Sequence, residues 1–249
     1  MTTEIILLRG LFRGSYHWGN FTERLSTIFP DCPISCIDIP GNGYLSSEIS
    51  PNTISGMVES VRNQRNRQGK VLILAVSMGG MVGLKWAELY PQEVESVICV
   101  NTTAKDFSPF YERLLPRNYL RIVKALFSSS LSREGAIYQM VSNQPFNRKT
   151  VNEWANHGQK YPISVANFWR QLRAATGFVV SRPQCELHFV ASLNDGLVNS
   201  NATQAMAKKW GARVIVNEID GHDVALDNPE WLLKVVGSIW LKAKQIVQE

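Results

Sequence analysis

Six short apolar runs recur along the chain: Glu4–Leu8, Ile34–Ile39, Val71–Val76, Val94–Val100, Cys185–Ala191 and Arg213–Ile219. Continuous runs of this length predict strands buried on both faces, as in a parallel sheet covered by helices. Between them the apolar period lengthens to that of a helix. Trp18, Phe21, Leu25 and Ile28 form one stripe, and Ile54, Met57, Val58 and Val61 another. A last stripe holds Trp231, Leu232, Val235, Val236, Ile239 and Trp240, with Asn228 placed to cap it, Pro229 in its first turn and Glu230 against its dipole. Strands alternating with helices predict an α/β fold on a mostly parallel sheet of about six strands.

Residues 105–182 break the alternation. The stretch contains helical patterns, no buried strand, and punctuating prolines at Pro109, Pro116, Pro145 and Pro162. Thr150 and Glu153 have capping-box spacing and predict a helix start there. The expectation is a helical cap over 105–182, inserted between the fourth and fifth strands of a core made of 1–104 and 183–249.

Composition narrows the class without changing this outline. The 249 residues are 45% hydrophobic and 19% charged, which suits one water-soluble domain with an insertion. No apolar run reaches the roughly 18 residues of a membrane span, and Met1–Leu8 lacks a basic region and a leader-length apolar core. A cytoplasmic location and no membrane partner are therefore expected. Cys32, Cys36, Cys99 and Cys185 lie in or beside apolar segments and read as free thiols. No Cys/His cluster has metal-ligand spacing, so no metal is expected.

Candidate chemistry sits where strands end. The run Val71–Val76 leads into Ser77, and a helical pattern starts at once behind it. A sharp strand-to-helix turn of this kind is a nucleophile elbow, which lifts a hydroxyl above the sheet and needs small neighbours. Here they are Ala75 and Gly79. Asp195 follows the fifth run in a turn, and His222 follows the sixth. A carboxylate there can hold an imidazole, which in turn can take the Ser77 proton. Asp106, just past the fourth run, is an alternative acid. The amides of Leu11 and Met78 are the candidate oxyanion donors.

These residues resemble the α/β-hydrolase superfamily over nearly the whole chain. The order Ser77, Asp195, His222 is that family's order. Leu8-Arg-Gly-Leu-Phe12 is similar to its loop after the first strand, except that Arg9 stands where His is common. Asp38-Ile-Pro-Gly-Asn-Gly43 resembles its Asp-x-Pro-Gly-x-Gly loop. The insertion is similar to the cap of small esterases such as pimeloyl-carrier-protein methyl ester esterase and of meta-cleavage hydrolases. The resemblance implies an α/β-hydrolase fold without the usual N-terminal hairpin. Its sheet would order the runs second, first, third, fourth, fifth, sixth. It implies a serine hydrolase that forms an acyl-enzyme on an ester or thioester, with no cofactor. A carbon–carbon bond hydrolase, or a small-molecule receptor on the same fold, remains an alternative.

The cap also carries the substrate expectations. It holds 12 of the 24 aromatic residues. Most would form its own core, but Phe107, Phe110, Phe146, Phe168 and Trp169 are candidates for a pocket that takes a hydrophobic acyl or aryl group. Arg9 joins them as a candidate for carboxylate recognition. Residues 105–182 carry 12 Lys/Arg against 4 Asp/Glu, either a solvated face or a surface for an anionic substrate or an acidic acyl-carrier protein. No nucleic-acid motif is present.

Overall fold

A computed structural model describes residues 3–246; Met1 and Thr2, part of the start read above as leaderless, lie outside them. A strand forms at each apolar run: β1 (Glu4–Leu8), β2 (Ile34–Ile37), β3 (Val71–Val76), β4 (Val94–Val100), β5 (Glu186–Ser192, one residue beyond its run) and β6 (Arg213–Asn217). They pair in the order β2-β1-β3-β4-β5-β6, every pairing parallel. Two strands stop earlier than their apolar runs. Beyond β2, Asp38 turns its carboxylate back to the amides of Ser15 and Tyr44. Beyond β6, Asn217 Oδ1 accepts the amides of Ile219 and Asp220 and turns the chain.

Eleven helices follow in order among the described residues: α1 (Phe21–Ile28), α2 (Ile54–Asn63), α3 (Met78–Leu89), α4 (Phe110–Arg113), α5 (Tyr119–Leu126), α6 (Ser130–Val141), α7 (Arg148–Lys160), α8 (Val165–Thr176), α9 (Ser200–Trp210), α10 (Val224–Asp227) and α11 (Pro229–Ile246). Alternate strand residues face opposite ways and build two cores. Ile6, Leu8, Ile73 and Ala75 pack with α2, α3 and α9. Ile5, Leu7, Leu72 and Leu74 pack with α1, α10 and α11. Asn228 Oδ1 accepts the Trp231 amide at 3.1 Å, so α11 starts as its cap predicted. The start of α7 is a correction. Asn147, not Thr150, is the cap, because Asn147 Oδ1 accepts the Thr150 amide at 3.1 Å.

Helices α4 to α8 lie between β4 and β5. Their apolar faces form a separate cluster of Ile122, Leu126, Ile137, Met140, Val141 and Phe168, closed by Phe12 from the loop after β1. Because all six strands are parallel, their carboxyl ends share one edge. The loops after β1, β3, β5 and β6 meet there.

Candidate active site

Ser77 joins β3 to α3 with φ 57° and ψ −122°, a conformation that non-glycine residues rarely adopt. Close packing enforces it. A Cβ on Gly79 would stand 2.7 Å from Leu8 O and 2.8 Å from Arg9 O, so only glycine lets α3 begin against the loop after β1. Ala75 fits because the opposing residue is small: a Cβ on Gly83 would already approach Ile73 Cγ2 at 3.1 Å and Ala75 Cβ at 3.8 Å.

Asp195 and His222 meet from the ends of β5 and β6. Asp195 Oδ2 is 2.7 Å from His222 Nδ1, and its Oδ1 accepts the amides of Leu197 at 2.7 Å and Val198 at 3.0 Å. Both side chains are buried. Asp106, the alternative acid, is exposed in the turn after β4 and makes no such bond. Burial pushes the His222 pKa down, but Asp195, helped by Asp223, outweighs it and leaves the imidazole above its ordinary value. With Nδ1 committed to the carboxylate, Nε2 is the nitrogen left for a hydroxyl. Ser77 and His222 line one cavity of about 70 Å³, walled mainly by apolar side chains such as Leu11, Phe12, Ile137 and Met140. Among the described residues, Ser77 Oγ donates to no protein acceptor, and the amides of Leu11 and Met78 likewise have none.

Two buried ion pairs fix the loop after β1, and neither is visible in the sequence. Arg9 is clamped by both its Nη atoms on Asp223, with Nη1 3.0 Å from Oδ1, and its guanidinium lies 4.7 Å from the Trp18 ring. The carboxylate it holds belongs to the chain itself, directly after His222, while Arg9 also lines the cavity at Ser77. Arg13 Nη1 donates to Glu134 Oε2 at 2.7 Å and ties the loop to α6.

Asn101, just beyond β4, was also missed. Its φ is 51°, and its Nδ2 donates to His222 O at 2.9 Å and Ser192 Oγ at 3.0 Å, while Oδ1 accepts the Ser192 amide at 2.8 Å. One polar residue at a strand end was the available signal. Asn101→Ala is expected to cost about 1–3 kcal/mol, because it leaves buried backbone groups of Ser192 and His222 unpaired. Urea unfolding of both proteins measures it.

The pocket candidates divide. Phe110, Phe168 and Trp169 line a groove of about 390 Å³ that shares Leu114 and Ile122 with the cavity at Ser77. Phe107 and Phe146 do not reach either space. Phe107 packs edge-on against Trp210, with ring centroids 5.0 Å apart, because the turn after β4 directs it toward α9. Phe146 rests on Tyr138 at 5.6 Å, outside α6. Phe12 takes part instead: at φ 65° it stacks on Phe168 with centroids 5.0 Å apart.

Residues 4–229 match the family model described as alpha/beta hydrolase fold. No curated protein matches the chain by sequence. Among solved structures, it is similar to a thermophilic esterase from Thermogutta terrifontis at 18% identity and TM-score 0.70, covering 98% of this chain and 90% of that one. It is also similar to an enol-lactonase from Burkholderia xenovorans at 16% identity and TM-score 0.73, covering 95% and 90%. A hydrolase from Pseudomonas aeruginosa gives 17% identity and TM-score 0.74, covering 95% and 89%.

Proposed function

The chain belongs to the α/β-hydrolase family, and from that membership we propose that it is a serine hydrolase that cleaves a carboxylic ester or thioester of a hydrophobic acyl or aryl group. One observation carries the proposal. The Asp195–His222 bond orients a buried imidazole in the same small cavity as a hydroxyl on an elbow.

In this reading substrate binding tightens the Ser77–His222 contact. Ser77 Oγ gives its proton to His222 Nε2 and attacks the carbonyl carbon. The oxyanion accepts hydrogen bonds from the Leu11 and Met78 amides, each contributing about 3–4 kcal/mol. Collapse passes the proton from His222 to the leaving alcohol or thiol and leaves an acyl group on Ser77. Water, deprotonated by His222, attacks that acyl group; the proton returns to Ser77 Oγ as the acid departs. The groove beside Leu114 and Ile122 takes the apolar group of the substrate. Helices α4 to α8 then act as a cap over the site. A cytoplasmic setting belongs to the same proposal and is supported by the free thiols of Cys36, Cys99 and Cys185.

The base must be neutral to work, so kcat/KM is expected to rise with pH through an apparent pKa above the ordinary histidine value of about 6.5. Asp195→Asn removes the influence that raises it and leaves burial, so the apparent pKa falls below that of the parent. The same pairing stabilises the fold below the unfolded-state pKa, and that contribution is lost as pH rises through the raised folded value. A pH series of kcat/KM for both proteins decides.

The experiment that tests the function is a panel of p-nitrophenyl esters of graded acyl length with matching thioesters. Turnover should increase from acetyl to longer acyl groups, and Leu114→Trp should abolish that gain while sparing acetyl. Tight binding of the panel without turnover would instead make the chain a receptor.

A further inference from the structure

The apolar arc of α5 is wider than the surface it buries. Ile122, Ala125 and Leu126 face the interior, whereas Leu120 and Val123, continued by Phe127 at the helix's C-cap, form a second stripe at spacing i, i+3, i+7 turned to solvent. Leu120 is 74% exposed and Phe127 75%. The stripe is continuous with the groove described above, since Val123 lines that groove together with the exposed Phe110, Tyr119 and Trp169. Cations flank it: Arg117, Arg121 and Lys124 are exposed, and no acidic residue occurs between Leu114 and Ser132.

We propose that this face docks the protein on an anionic phospholipid bilayer, with Leu120, Val123 and Phe127 in the interface and Arg117, Arg121 and Lys124 against the headgroups. A short helix with an apolar stripe bordered by basic residues binds in this way, through buried apolar area and attraction to anionic lipid. A second copy of the chain fits worse, because self-pairing would bring the two basic flanks together. A bilayer accommodates side chains as protruding as Leu120 and Phe127 without a shaped pocket. No described helix is long and apolar enough to cross a membrane, so the contact is peripheral. The expectation of no membrane partner rested on the lack of a span, which does not bear on a surface helix. The groove would then open toward the bilayer, where apolar esters partition.

The test is flotation of the full chain with vesicles of phosphatidylcholine alone or mixed with phosphatidylglycerol, at low and high salt. The parent should float with the mixed vesicles, less so at high salt. Leu120→Ser with Phe127→Ser should lower the bound fraction about tenfold or more. Arg121→Gln with Lys124→Gln should remove the preference for anionic lipid. Thermal melts of the variants matching the parent would show that these losses come from the surface. Ser77→Ala should float like the parent, so a failed hydrolase reading leaves this result standing. The proposal is overturned if mixed vesicles fail to bind at low salt, or if binding survives both pairs of substitutions. It is equally overturned if light scattering shows a dimer that the Leu120/Phe127 variant breaks. A complex with an acidic acyl-carrier protein, lost in that variant while vesicles never bind, also overturns it.

Discussion

Ser77→Ala is expected to lower kcat for ester hydrolysis by roughly 10⁶-fold, with the fold retained. Alanine keeps the Cβ that the elbow already accommodates at φ 57°, so the backbone strain is unchanged. What disappears is the hydroxyl that would carry the acyl group in the proposed mechanism. A residual rate is expected from the proposed oxyanion donors, the amides of Leu11 and Met78, acting on a water-mediated reaction. Ser77→Gly separates chemistry from conformation. It should be equally inactive yet more stable than Ser77→Ala, since glycine relieves up to about 1–3 kcal/mol of strain at such an angle. Steady-state kinetics and urea unfolding of the two variants check both statements.

Arg9→Ala should be the most damaging change away from the reacting atoms. It strands Asp223, which is buried and has its partner 3.0 Å away, and breaking such a pair costs about 3–5 kcal/mol. Folded domains have only about 5–15 kcal/mol in hand, so a large fall in the urea midpoint is expected. Arg9→Met combined with Asp223→Leu should lose much less, because no charge is left buried without a partner. The pair also joins the loop that carries Leu11 to the residue after His222, so the double variant should fold yet turn over more slowly. Its pH profile shows whether the imidazole responds. Asp223 raises the His222 pKa and Arg9 lowers it, so removing both should leave the apparent pKa below that of the Arg9→Ala protein.

The contrast between what the sequence foretold and what it hid follows the range of the interactions. Strands were legible because burial on both faces leaves uninterrupted apolar runs, and Val71–Val76 and Val94–Val100 form over those same residues. Ser77, Asp195 and His222 were legible because each follows such a run, and parallel strands bring their ends to one edge. The Arg9–Asp223 pair spans 214 positions, and nothing near either residue points to the other. Asn101 likewise acts through tertiary partners only. Among the helices between β4 and β5, aromatic content predicted an apolar lining, but which ring faces the groove depends on how the helices rotate against one another. Phe168 turned inward while Phe107 and Phe146 packed elsewhere, because Trp210 and Tyr138 offered them nearer apolar surfaces.

Reaction with a fluorophosphonate probe, followed by mapping of the modified peptide by mass spectrometry, tests whether Ser77 is an activated nucleophile. One phosphonyl adduct on Ser77 is expected, formed quickly in the parent, slowly in His222→Ala and not at all in Ser77→Ala. Labelling of another residue, or an unlabelled Ser77 after prolonged exposure of folded protein, would contradict that role.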